Sequence, residues 1–232
     1  MMRVLLILIA SLWYHNYCAA QALKRYIVKA GEAPDEVIPD EAKYIFPAFT
    51  EGTAFLRSGA SVKQQFNYNH LLDEMQFLNS GGDTLAIADP GLIKSISINS
   101  FVFYYDKGYL RQIVEIHAYK LAVKQQMIQI PDKVGTAYGG SSGSSAVTTY
   151  SSIYSSDKVH RLKVDRDVLF QTVTNWFIGD QYNHFEKGDK KGFYNTFPSK
   201  RDAIRKYMAK NNTDFNKEAD LEQLLRFCTE QQ

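Results

Sequence analysis

Lys94-Ser95-Ile96-Ser97-Ile98-Asn99, then Phe101-Val102-Phe103-Tyr104-Tyr105 and Asp106-Lys107-Gly108, is the stretch that decides the fold. Ile96 and Ile98 alternate with Ser95, Ser97 and Asn99. A period of two gives a strand one buried face and one wet face, the pattern of antiparallel sheets. The aromatic run that follows is apolar on both faces, as a strand between two layers would be. Asp106-Lys107-Gly108 supplies the positive φ that a tight hairpin demands. The same reading extends outward. Val62, Gln64, Phe66 and Tyr68 share one strand face, and Tyr119, Leu121 and Val123 alternate with Lys120, Ala122 and Lys124. Ser58-Gly59 and Asn79-Ser80-Gly81-Gly82-Asp83 punctuate the runs with turn formers. The segment from Phe49 to Ile130 reads as roughly seven to nine short strands. No helical spacing for a parallel crossover appears. The expected class is mainly β (α+β): an antiparallel meander or curled sheet, or a sandwich, with a C-terminal helical hairpin.

The flanks complete the organisation. Residues 21–46 read as an extended acidic N-terminal segment. They contain a short first strand (Arg25–Lys29) and an acidic stretch over 31–41, with Pro34, Pro39 and no base. Residues 47–185 read as the β domain. Within it 138–156, centred on Gly139-Gly140-Ser141-Ser142-Gly143, reads as a flexible loop. From Asp167 to Phe185 the β-branched and aromatic content favours a strand. Residues 186–232 read as helical and packed on the sheet. Ser199 with Asp202 resembles a capping box. Ala203, Ile204, Tyr207 and Met208 make one apolar stripe, and Asn211-Asn212 ends that helix. Asn216 is placed to cap a second helix with Leu221, Leu224, Leu225 and Cys228 at i, i+3, i+4, i+7.

Compartment follows from the first twenty residues. Arg3 precedes the run Val4–Ala10, and Cys18-Ala19-Ala20 places small residues before Gln21. This reads as a secretory signal peptide over residues 1–20, cut after Ala20. The run falls short of the ~20 apolar residues that span a bilayer. Cys18 is also a candidate for lipid attachment, although His15-Asn16-Tyr17 lacks the small aliphatic residues that lipoprotein processing uses. Beyond the leader only Cys228 remains, so no internal disulfide can form, which favours a bacterial envelope setting. The formal net charge of the chain is +2, too balanced for a nucleic-acid binder.

Five clusters are candidates for chemistry. Glu115 and His117, two apart on a strand that continues the alternation of Tyr119, would point the same way, and a carboxylate beside an imidazole can orient a general base. Asn67-Tyr68-Asn69-His70, with Asp73 and Glu74, is the densest polar and aromatic group. It reads either as a rim that hydrogen-bonds a sugar or peptide, or as a strand corner whose Asn and Asp cap backbone amides. Tyr68, Tyr104, Tyr105 and Tyr109 join an apolar ring to a polar tip, as ligand-contacting aromatics do, and read equally as core. Ser141, with Asp157 and His160 following, has the spacing of a nucleophile elbow without its strand-to-helix context. Finally, Lys187, Lys190, Lys191, Lys200, Arg201, Arg205, Lys206 and Lys210 face only Asp189 and Asp202, a solvated face or one that meets anionic lipid or polysaccharide. His70, His160 and His184 are scattered, so no metal site is expected from spacing, and no cofactor motif is present.

Phe66-Asn67-Tyr68-Asn69 through Glu74-Met75-Gln76-Phe77, then Gly82–Ala88, resembles a recurring block in exported proteins of Bacteroidetes-type bacteria. The tail from Phe197-Pro198-Ser199-Lys200 through Asp220-Leu221 is similar to the end of the same proteins. That family is uncharacterised. The resemblance implies an envelope location and supplies no catalytic residues. The leading expectation is therefore a non-enzymatic envelope module. It would bind an envelope protein, glycan or lipid through Asn67, Tyr68, Asn69, His70, Tyr104 and Tyr109. A periplasmic hydrolase of envelope polymers, using Glu115 and His117 or Asp73 and Glu74, is the second expectation. A lipid or lipoprotein carrier is the third.

Overall fold

A computed structural model describes residues 24–130 and 163–230. The leader, Cys18, the Ser/Gly tract and the Ser141, Asp157 and His160 set lie outside the described residues. The chain is mainly β. Its strands are β1 (Arg25–Val28), β2 (Thr50–Leu56), β3 (Ser61–Asn69), β4 (Glu74–Leu78), β5 (Thr84–Ala86), β6 (Ile93–Ile98), β7 (Phe101–Tyr105), β8 (Tyr109–Ile116), β9 (Tyr119–Ile130), β10 (Val168–Gly179) and β11 (Phe185–Lys187). They form one antiparallel sheet in the order β1-β10-β9-β8-β7-β6-β2-β3-β4-β5, with β11 also on β10. Two meanders, β2 to β5 and β6 to β10, are joined where β2 pairs with β6.

The sheet curls without closing. In its order β3 and β9 are separated by four strands, yet the turn after β3 reaches β9. The Met127 N–H donates to the His70 carbonyl at 2.7 Å, and the His70 Nδ1–H donates to the Gln125 carbonyl at 2.8 Å. Lys124 pairs with Asp73 at 2.5 Å, both side chains largely buried. The inside of the curl holds Phe66, Tyr68, Met75, Ile96, Ile98, Phe103 and Tyr109. Ile96 and Ile98 are inaccessible to solvent, as the alternation in the opening stretch requires.

Five helices are described: α1 (Pro34–Val37), α2 (Asp40–Lys43), α3 (Lys190–Thr196), α4 (Arg201–Asn211) and α5 (Glu218–Glu230). The C-terminal helices cover one end of the sheet, where Phe193, Ile204, Leu221, Leu224, Leu225 and Cys228 pack on Ile116, Leu121 and Ile178. Among the described residues no helix is long and apolar enough to cross a membrane.

Three local expectations differ from the structure. Residues 31–41 are not extended, since α1 and α2 fold there and Ala33 and Ile38 are buried. Pro34 opens α1, and carboxylates stand in the first turn of each short helix, where unpaired N–H groups and the dipole favour them. The charge run was therefore a helix-start signal. Ser199 does not cap α4, whose N-cap is Lys200 without a side-chain bond. Asn216 bonds Asp214 instead of capping α5. The segment after Asp167 is strand, and β10 pairs with β9 from Leu169 to Gly179.

Candidate functional site

The polar and aromatic stretch at the end of β3 divides into two roles. Asn67 faces away from the curl's interior, and its amide closes a two-way bond with the Phe46 backbone: the Phe46 N–H donates to Oδ1 at 3.1 Å and Nδ2 donates to the Phe46 carbonyl at 2.9 Å. Asn69 Oδ1 accepts from the Leu71 and Leu72 N–H groups at 2.9 and 3.1 Å. Both asparagines are buried and fully occupied in holding the corner. Asn67 is spent on backbone at both its oxygen and its nitrogen, and the Asn69 nitrogen reaches the Gln76 side chain at 3.5 Å.

Tyr68 and the residues after the corner do converge on a cleft. The turn places Asp73 at φ +57°, and the β7–β8 hairpin opposite places Lys107 at φ +54° and Gly108 at φ +128°. Between them lies a cleft of about 310 Å³ bounded by Leu72–Met75, Ala86–Ala88 with Pro90, and Tyr105, Lys107, Gly108 and Tyr109. Glycine is required at 108. Its φ strains any residue with a Cβ, and a Cβ there would also displace the Lys124 ammonium that reaches Asp73. Asp73 is fully engaged, accepting from the Tyr68 hydroxyl at 2.6 Å through Oδ1 and pairing with Lys124 through Oδ2.

The remaining groups are less committed. Glu74 accepts one bond, from Gln76 Nε2 at 3.2 Å. Burial pushes its carboxyl above the ordinary range, the Gln76 bond draws it back, and the Asp73 charge adds to the rise. Tyr109 is 3% exposed and its hydroxyl has no hydrogen-bond partner. Burial raises that phenol far above its usual range, and Tyr105, Asp73 and Glu74 add to the effect. The Tyr105 ring meets the Tyr109 ring edge-on at 5.1 Å between centroids. The cleft is therefore lined by the Tyr105 and Tyr109 rings, one weakly engaged carboxyl and the Lys107 cation, with Met75 and Ile87 among its apolar lining, and the Tyr109 hydroxyl lies closed behind its wall.

The other candidates sit elsewhere. Glu115 and His117 do not share a strand face. His117 and Ala118, at φ +48° and +70°, are the two central residues of the β8–β9 hairpin turn. His117 is exposed there, and Glu115 pairs across the ladder with Lys120, 3.7 Å away. The alternation could not reveal this, because two positive-φ residues without Gly, Asn or Asp carry no turn signal. Tyr104 points to the opposite side, where its hydroxyl donates to Gln112 at 3.0 Å and its ring packs on Phe185. His70 lines a separate groove of about 240 Å³ with Tyr26, Glu41, Tyr44 and Thr172. Of the ligand-contact candidates Tyr105 and Tyr109 line the cleft, with Tyr68 beside them bonded to Asp73.

Lys107, Lys124 and Gly108 were not distinguished by sequence as site residues. The Asp-Lys-Gly turn carried a backbone signal only. Among the described residues no three His, Cys, Asp or Glu side chains converge as metal ligands. Inside the curl the space bounded by Tyr68, Phe103, Tyr109, Arg111 and Val123 measures about 10 Å³, room for one water at most. Set against protein-family models, curated proteins and solved structures, the chain finds no match.

Proposed function

We propose that this protein is an exported, non-enzymatic envelope module that binds a neutral glycan in the cleft between the β3–β4 turn and the β7–β8 hairpin. One observation carries the reading: a tyrosine hydroxyl, buried and without a partner, at the wall of a cleft large enough for a sugar. An unpaired buried donor is costly and is ordinarily satisfied, and a ligand hydroxyl would satisfy Tyr109 once the wall that covers it opens. Paired aromatic rings suit the apolar C–H faces of a sugar, and Glu74 suits its hydroxyls. The local charges support a neutral ligand, since Asp73 is neutralised by Lys124 and the same cleft is lined by one further carboxylate, Glu74, and one further cation, Lys107. Export rests on the leader-like residues 1–20 and on the family resemblance.

A glycan hydrolase would need a second uncommitted carboxyl beside Glu74. Asp73 has both oxygens engaged, so binding is the better supported activity. A lipid carrier would need apolar volume, and among the described residues the space between Tyr68, Phe103 and Tyr109 holds about 10 Å³.

Saturation-transfer NMR of the purified chain with cellobiose, chitobiose and mannobiose tests the proposal. We expect transfer from tyrosine ring protons to at least one of the sugars. Affinity should fall about five- to ten-fold in Tyr109→Phe and be lost in Tyr105→Ala. Transfer to none of the three, or affinities unchanged in both variants, overturns it.

A further inference from the structure

The tip of the β2–β3 hairpin combines exposed apolar side chains with bases and no acid. Phe55-Leu56-Arg57-Ser58-Gly59-Ala60-Ser61-Val62-Lys63 contains two cations and no carboxylate, and Pro90-Gly91-Leu92-Ile93-Lys94 adds a third cation. The structure brings these two segments together. The Arg57 N–H donates to the Leu92 carbonyl at 2.9 Å, and Arg57 Nε donates to the Gly91 carbonyl at 2.9 Å. Leu56 lies opposite Ile93 and Phe55 opposite Ser95, so Lys94 stands in the bulge between them.

Phe55, Val62 and Leu92 are 43%, 46% and 59% exposed, and Arg57, Lys63 and Lys94 around them are exposed too. One carboxylate, the exposed Asp89 just before the second segment, accepts from the Gly91 N–H at 3.0 Å. The tip itself is preformed, with the Leu56 N–H donating to the Ala60 carbonyl and the Gly59 N–H to the Leu56 carbonyl.

We infer that this tip docks the protein onto an anionic lipid surface, with Phe55, Val62 and Leu92 entering the headgroup layer and Arg57, Lys63 and Lys94 meeting lipid phosphates. Two features select lipid over a protein partner. Phe55 pairs with Ser61 while Val62 pairs with Ala54, so the two apolar side chains project from opposite faces of the hairpin. A protein surface covers one face, whereas a bilayer interface surrounds an inserted tip on both. The second feature is charge: a rim of three bases against one carboxylate, Asp89, complements anionic headgroups, and a combined apolar and basic signal is what reversible surface anchoring takes. This site adjoins the cleft at Pro90 and does not depend on the glycan reading.

Co-sedimentation of the purified chain with vesicles of phosphatidylcholine alone and of equal parts phosphatidylcholine and phosphatidylglycerol tests the inference. We expect binding to the mixed vesicles only, weakened by added salt. The affinity should fall about five-fold per base removed in Arg57→Gln, Lys63→Gln and Lys94→Gln. It should be abolished in Phe55→Ser with Leu92→Ser. Lys63 and Lys94 are exposed and, among the described residues, make no side-chain bond. Circular dichroism and the melting temperature should therefore not move in Lys63→Gln and Lys94→Gln, which separates docking from folding; Arg57→Gln also loses the bond to the Gly91 carbonyl. No binding to the mixed vesicles, equal binding to both vesicle types, or full binding by the substituted chains overturns it. So does a concentration-dependent dimer that the same substitutions dissolve.

Discussion

Asn67 and Tyr109 show how neighbouring polar side chains in one region come to opposite ends. Asn67 is buried because its amide reproduces a backbone pairing pattern for Phe46, so its burial stabilises. Tyr109 is buried with its hydroxyl unpaired, so its burial is a local cost that a ligand can relieve. Asn67→Ala leaves the Phe46 N–H and carbonyl without partners in the core. It should destabilise the fold by about 2–4 kcal/mol, read as a lower urea midpoint at unchanged slope. A loss below about 0.5 kcal/mol would mean that water replaces the amide and that the corner is open.

Strands and helices here end by different chemistry. The β8–β9 hairpin turns on His117 and Ala118 at positive φ, against local preference. It is held by the long β9–β10 ladder, which continues to Ile130. Helix α4 ends on Asn212 in the left-handed conformation at φ +49°, its N–H donating to the Met208 carbonyl. Glycine takes that conformation without a Cβ penalty. Asn212→Gly should therefore stabilise by about 0.5 kcal/mol or slightly more. A rise of about 1–3 °C in melting temperature follows for a chain of this size. A fall would show that the Asn212 side chain matters to the α4–α5 connection.

The curl of the whole sheet depends on groups that must keep their neutral form. Burial holds the His70 imidazole below its ordinary value of 6.5, with Arg111 adding to the effect and the Gln125 carbonyl opposing it. The unfolded chain therefore takes up that proton first. Stability is present above pH 6.5 and is lost as pH falls toward the folded value. Tyr68 and Tyr109 are raised above their ordinary 10.0, chiefly by burial, so their contribution is present below pH 10.0 and is lost as pH rises toward the folded values. Urea midpoints across a pH series should trace a plateau between these arms. Tyr109→Phe has no hydrogen bond to lose and should reduce the alkaline arm alone. An alkaline arm of unchanged slope in that variant would place the titrating groups elsewhere.

Period-two alternation made the antiparallel architecture legible without coordinates, because Ile96 and Ile98 can be buried together only if their strand has one covered face. The apolar stripe of Leu221, Leu224, Leu225 and Cys228 likewise announced a packed helix, since i, i+3, i+4 and i+7 share a face at any helix's own pitch. Those are local facts, set by chain geometry within a few residues. The site is of another kind. Tyr109 and Glu74 lie far apart in sequence and meet only because the sheet curls until the β3–β4 turn faces the β7–β8 hairpin. Which turn a charged pair will bridge, as Asp73 and Lys124 do, depends on how tightly every intervening strand twists, and no stretch of sequence carries that sum. The same limit explains Glu115 and His117. Side-by-side placement was a fair reading of alternation, and a turn enforced by the β9 ladder overrode it.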